Sequence, residues 1–248
     1  MRKLSQKYAA HITVQEQQLP VEIVIEPRNG SRYSMTRKRI IMRLPTGTTA
    51  EGVHKELQKL QDWVLKISDK KPTLLAPYTA KKYENGSEIK VGVRQYFLQI
   101  DEDDRATHSA RLVGNTIALQ LSTRSTPAHR DKSIRTLLSR VIAGDFHRDI
   151  ADRVHAINRR TFNRPIKNIY LKYNHSNWGS CSSDGNVNLS TRLLFAPIDV
   201  QDYVIVHELA HLVELNHSDR FWALVEAHIP NYTEKEQWLK LNGALCDF

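Results

Sequence analysis

The stretch His207-Glu208-Leu209-Ala210-His211, followed six residues later by His217, decides how the rest of the chain is read. Two histidines four apart stand one turn above each other on the same helix face, so their imidazoles can grip one ion together. Glu208 lies about 100° round that helix, near enough to reach a water on the ion without being a ligand. A third histidine leaves the fourth tetrahedral position open, the arrangement of a catalytic zinc rather than a structural one. In a shuffled chain of this composition HExxH arises in roughly 2–3% of cases, and with a further His fixed at 217 in roughly 0.1%. The extended pattern therefore carries the argument where the bare one would not. It makes His207, His211 and His217 the expected Zn2+ ligands and Glu208 the expected general base.

The flanking residues agree. Val200, Val204, Ile205, Val206, Leu209, Leu212 and Val213 make the helix apolar nearly all round, which predicts burial. Burying His207, Glu208 and His211 there without partners would be costly, and a metal with its water resolves that cost. Asp199 is the expected N-cap, with Asp202 in the first turn. Metzincin-type sites place a glycine midway, in HExxHxxGxxH; Glu214 stands there instead. Asn216 can adopt the left-handed conformation that ends a helix, so it is the expected turn residue. Glu226 is the rival third ligand, since other zincins use a downstream Glu.

At 248 residues and 40% hydrophobic, the chain can bury a sizeable core as one large or two small domains. It has no run of 18 apolar residues, hence no expected membrane span. The basic segment Met1–Lys7 lacks an apolar stretch behind it, which argues against a signal peptide. Cys181 and Cys246, the only cysteines, give no disulfide framework, so a cytoplasmic location is expected. The net charge of +9 is uneven: residues 1–125 hold 21 Lys+Arg against 13 Asp+Glu, residues 126–248 hold 15 against 14. The densest run, Arg37-Lys38-Arg39, is a candidate for weak nucleic-acid contact, set against the plainer reading of a solvated strand.

Residues 1–125 read as strand-rich with one helix at about 49–67. Strands are expected around 11–14, 21–25, 39–44, 88–93 and 95–100, and a hairpin of strands 111–113 and 116–121 turned by Gly114-Asn115, with a loop at 68–82. A long helix is expected at 127–162, started by Pro127. On it His147 and His155 read as ordinary polar-face residues. A strand follows at 169–173, then a hairpin at 176–190 closed by Asp184-Gly185. Two helices come after the metal helix, one from Ser218 to Pro230, one with a Thr233/Glu236 capping box ending at Gly243. No internal repeat is visible. The domains expected are 1–125 and 126–248.

Trp178-Gly179-Ser180-Cys181-Ser182-Ser183, Asn186-Val187-Asn188-Leu189, the HELAH pentapeptide and Asn216-His217-Ser218-Asp219-Arg220-Phe221-Trp222 together resemble the YgjP-like family of zinc metallopeptidases. The likeness is close over about 170–243 and looser in the strand-rich start. That family is related to the SprT/Spartan and WLM proteases, which carry a minimal zincin core and act on DNA-linked proteins. The resemblance implies an α+β fold: a strand-rich N-terminal part, then a zincin-like core of helices and a small antiparallel sheet. It implies the same ligands and the same base. Relatives tend to carry a basic residue just before the Trp-Gly-Ser-Cys motif, and here Asn177 stands there.

The expected chemistry is hydrolysis of a protein or peptide substrate, with the 176–190 hairpin offering an edge strand to an extended chain. Trp178 is either a cleft wall or a core aromatic. Cys181 is either a fourth, inhibitory ligand or a buried structural thiol, the latter favoured. Two other functions fit the same residues: a metal-dependent hydrolase of a non-peptide amide or ester, and a metal-stabilised binding module without turnover. Glu208 speaks against the module, because a purely structural site needs no acid beside its ligands.

Overall fold

The computed structural model describes residues 5–15, 17–36, 39–70, 75, 81 and 83–248. The fold is α+β, with five α-helices and three small mixed sheets among the described residues. The chain forms two compact units, Met1–Ala80 and Lys81–Phe248. This division differs from the one composition suggests, at 125/126.

In the first unit, strands β1 (Gln6–Val14), β2 (Gln17–Glu26), β3 (Arg32–Met35) and β4 (Ile40–Pro45) precede helix α1 (Ala50–Lys70). The sheet order is β1-β2-β4-β3. Alternation places Leu19, Val21 and Ile23 of β2 and Ile40, Met42 and Leu44 of β4 on one face. These meet Leu60 and Val64 of α1 in one buried cluster.

The second unit begins with β5 (Glu88–Val91), β6 (Arg94–Asp103), β7 (Ser109–Val113) and β8 (Thr116–Ser122), in the order β5-β6-β8-β7, followed by helix α2 (Pro127–Arg160). This is the first unit's arrangement again. Adding 77 to a residue number in the first set gives its counterpart in the second. Ile12 pairs with Leu19 and Ile89 with Tyr96; Val21 pairs with Ile40 and Leu98 with Ile117; Tyr33 pairs with Met42 and Ala110 with Leu119. Even the hairpin residue with positive φ recurs, as Gln15 (49°) and Gly92 (56°). The helices start at equivalent positions, Ala50 and Pro127. The expectation of no internal repeat is corrected: the copies share mostly buried apolar positions, with the Glu26–Arg28 ion pair recurring as Asp103–Arg105, so the likeness shows more in strand register than in the letters.

The second copy differs in what it supports. Its core continues through Ile142, Phe146 and Val154 of α2 to the remaining elements. This is why β5–β8 belong with the C-terminal unit. Strands β9 (Asn168–Lys172), β10 (Gly179–Cys181) and β11 (Asn186–Ser190) form a sheet of order β10-β11-β9. β10 and β11 are an antiparallel hairpin; β9 joins parallel to β11, so the sheet is mixed. Gly185 takes the positive φ that the tight turn needs. A 3-10 turn at Thr191–Phe195 leads to α3 (Ile198–Ala210), α4 (Asp219–His228) and α5 (Tyr232–Asn242).

Several local expectations are corrected. The N-cap of α3 is Pro197, with Asp199 in the first turn paired to Lys235 at 2.6 Å. Asp202 lies a turn later and binds the Arg153 guanidinium through both carboxylate oxygens. Helix α5 is led by Asn231, whose side chain meets Glu234, so no Thr233/Glu236 box forms. Ser218 caps α4 as expected, accepting from the Phe221 amide. Among the described residues no helix is long and apolar enough to cross a membrane.

Candidate metal centre

Helix α3 is buried along nearly its whole length, because Val200, Val204, Ile205, Val206 and Leu209 cover most of its circumference. Only its last turn opens onto a cleft, and there it presents His207, Glu208 and His211. The chain then tightens: the amides of Val213 and Glu214 both donate to the Ala210 carbonyl. The turn brings His217 back over the helix without a left-handed residue, so Asn216 does not supply one; its carbonyl accepts from the Ser218 amide instead.

One ring nitrogen from each of His207, His211 and His217 can be chosen so that all lie within 4.8 Å of one another. The Nε2 atoms of His207 and His217 are 3.0 Å apart. Two nitrogens bound at about 2.0–2.1 Å to one tetrahedral zinc lie about 3.3 Å apart, so this spacing suits a shared ion. Nδ1 of His211 faces the Glu214 carbonyl at 3.2 Å. A carbonyl can only accept, so Nδ1 carries the proton and Nε2 keeps its lone pair for a metal. Nδ1 of His207 is buried with no hydrogen-bond partner. Glu226, the rival ligand, is exposed on α4 and outside the cluster.

Electrostatics favour the ligand form of the His207 and His211 rings. Burial, then the neighbouring His211 and His217, pushes His207 down to about 4. His211 is lowered too, chiefly by burial. Phe221 packs edge-on against His207 and His217, and Trp222 stacks on His217 at 5.7 Å. These rings fix the imidazoles in place and keep the surroundings apolar.

Glu208 is 6% exposed, and burial alone pushes its carboxyl up to about 8. No cationic side chain contributes to that shift. A dication at the three imidazoles would supply the missing positive charge and draw the carboxyl back toward ionisation. Three converging imidazole nitrogens and a buried carboxyl with no compensating cation thus fit a divalent metal.

The cleft, about 620 Å³, is bordered by β10 on one side and by Leu239 and Lys240 of α5 on another. Asn177 turns inward to its own loop, donating to the Gly179 carbonyl at 3.0 Å. Trp178 serves both roles considered for it: it lines the cleft, and its ring packs between Gly243 and the Arg192 guanidinium, 4.6 Å from the ring centroid. Cys181 lines the cleft outside the histidine cluster; burial, then Glu208, pushes its thiol up to about 11, so it stays protonated. His147 donates to the Ile169 carbonyl at 3.0 Å, and His155 is exposed. Arg37 and Lys38 lie outside the described residues, and Arg39 pairs with Glu22.

Sequence reasoning missed Arg192 and the steric role of Gly179. Arg192 is 2% exposed and donates to the carbonyls of His175, Gly243 and Cys246. It ties the loop before Trp178 to the C-terminal segment. The available signal was a lone arginine in the run Thr191–Phe195.

Residues 32–242 match the YgjP-like metallopeptidase domain. The chain belongs to the YgjP-like metallopeptidase family. Membership implies a divalent metal and a protein or peptide substrate. Among solved structures, the metallopeptidase zymogen of Pyrococcus abyssi abylysin aligns at 27% identity with 38% of this chain and 93% of its own, with a TM-score of 0.32. No curated protein matches. In this YgjP-like chain, the histidine cluster, Glu208 and the β10 edge all fall within the matched span.

Proposed function

We propose that this protein is a zinc-dependent peptidase of the HExxH type, with His207, His211 and His217 as ligands and Glu208 as general base. The observation that carries the reading is the convergence of three imidazole nitrogens within 4.8 Å beside a buried carboxyl at the floor of a 620 Å³ cleft. When bound, zinc supplies Lewis acidity, lowering the pKa of water to about 7 and polarising a carbonyl oxygen. Glu208 accepts the proton of the attacking water and delivers it to the departing amine nitrogen. Among the described residues β10 is paired to β11 alone, which leaves its other edge for an extended substrate. Apolar walls from Trp178, Val204 and Leu239 exclude water from the reacting carbonyl. Cys181 and Cys246, neither in a disulfide, suit the reducing cytoplasm.

The test combines metal analysis of the purified protein with profiling of newly formed protein termini, comparing wild type with Glu208→Gln. Stoichiometric zinc in both proteins, with new termini from wild type alone, is the expected result. Equal cleavage by both would remove Glu208 as the base, and absence of metal from wild type would sink the reading.

A further inference from the structure

The duplicated sheet-and-helix arrangement provides a comparison inside one chain. In the first copy, an aromatic and charged cluster occupies the space beside the helix. Tyr33 donates to Glu56 at 2.7 Å, Lys59 pairs with the same carboxylate at 2.7 Å, and the Tyr33 and Trp63 rings meet at 5.9 Å. The counterparts in the second copy, 77 residues on, are Ala110, Ser133, Thr136 and Arg140. The aromatic rings and the carboxylate are gone, and a cleft of about 400 Å³ lies open beside α2. It shares Thr136 and Arg140 with a second cleft, of about 430 Å³, between α2 and β9. Together they form a groove along α2 from His129 to His147, about 27 Å at 1.5 Å per residue.

The groove is chemically one-sided. No carboxylate lines either cleft among the described residues, whereas Lys132, Arg140 and Lys172 do. Ion pairs are common elsewhere in this chain, and Arg153, another cation of α2, is held by Asp202. None of Lys132, Arg140 and Lys172 has a carboxylate partner among the described residues, and the Lys172 ammonium lies over the Tyr170 ring, 4.3 Å from its centroid. One hydroxyl of the groove, that of Ser125, is set as an outward donor, whereas that of Thr136 donates to the Lys132 carbonyl. The Ser122 amide donates to Nδ1 of His108, so the ring proton sits on Nε2 and points to the Ser125 hydroxyl at 3.0 Å. That hydroxyl is left to donate outward.

We propose that this groove binds the sugar–phosphate backbone of single-stranded nucleic acid. Phosphates match cations that no carboxylate neutralises and the Ser125 hydroxyl. The half-buried Tyr173 ring lines the second cleft and offers a face for a base. An acidic peptide fits less well, because the β9 edge it would pair with is engaged at Ile169 by His147. A duplex is far wider than clefts of this volume. The site is separate from the metal cleft and does not rest on the peptidase reading.

The experiment titrates full-length protein into fluorescein-labelled dT20 at 50 and 200 mM salt, following anisotropy. Wild type binds at low salt and weakens steeply at high salt. The triple variant Lys132→Gln, Arg140→Gln, Lys172→Gln binds about tenfold or more weakly. Its slope of log affinity against log salt is shallower by about 2, at about 0.7 per lost contact. Ser133→Glu, which restores the acid of the first copy, weakens binding in a protein of unchanged circular dichroism. Lys55→Gln, Lys66→Gln, Lys90→Gln, a loss of equal charge elsewhere, leaves it unaltered. The proposal is overturned if dT20 fails to bind at 50 mM salt, or if the groove variants bind like wild type. It also fails if a duplex or a poly-glutamate 20-mer competes as well as unlabelled dT20.

Discussion

Gly179 of β10 abuts the Glu208 carboxylate so closely that a methyl group at 179 would lie 2.6 Å from its Cγ and from Oε1. No Cβ tolerates that approach, so either the strand or the carboxylate must move if any other residue stands there. The edge offered to a substrate and the group proposed to move its proton are therefore in direct contact. Their separation is set by the absence of a side chain.

Gly179→Ala should consequently displace Glu208 while leaving the three histidines in place. A misplacement of about 1 Å costs on the order of a hundredfold in rate. Peptide hydrolysis should fall by about that factor with zinc stoichiometry unchanged. Wild-type turnover in Gly179→Ala would show that Glu208 has room to spare.

Replacing His211 by Ala should abolish zinc retention at micromolar metal, because two ligands do not complete a stable shell. In wild type, zinc at about 100 times its Kd should add about 2.7 kcal/mol to the stability of the second unit, and a chelator should remove it. Metal analysis and thermal melts with and without zinc read both effects. Zinc held one-to-one by His211→Ala would refute the ligand assignment.

The histidine cluster was legible in the letters because helix periodicity places residues four apart together whatever the rest of the fold does. His217 needed only a chain reversal. The ends of the helices were less legible. Asp199 looks like a cap, yet Pro197 holds that position and leaves Asp199 free to pair with Lys235. The duplication was hidden because the two copies share buried apolar positions such as Ile40 and Ile117, or Leu44 and Leu121, while their surfaces diverge. Strand register fixes the equivalence, and register depends on pairing between strands far apart in sequence. The same reason conceals Gly179: a glycine in a short strand says nothing about which carboxylate will pack on it.

Arg192 illustrates a role that only tertiary structure discloses. Arg192→Leu would strand the carbonyls of His175, Gly243 and Cys246 and remove the cation beneath Trp178. The expected loss is about 3 kcal/mol in the second unit. Tryptophan fluorescence during urea unfolding measures it. A midpoint within error of wild type would mean that water satisfies these carbonyls.

The first unit should carry its own acid sensitivity. Lys59, then Ser31, holds the Glu56 carboxyl down to about 2, against an ordinary value of 4.5, with a smaller contribution from Tyr33. A carboxylate whose pKa is depressed on folding stabilises the native state above its unfolded pKa. That stability drains away as pH falls through the folded value. The window here is from about 4.5 down to about 2. Because the Glu56–Lys59 pair reaches solvent, the contribution is discounted to about 1 kcal/mol or less. Trp63 lies 5.9 Å from Tyr33 and reports the packing of this corner. In Glu56→Gln the stability deficit relative to wild type should be full at pH 6 and shrink steadily between pH 4.5 and pH 2. A deficit that stays constant across that range would show that Glu56 acts by packing and not by its charge.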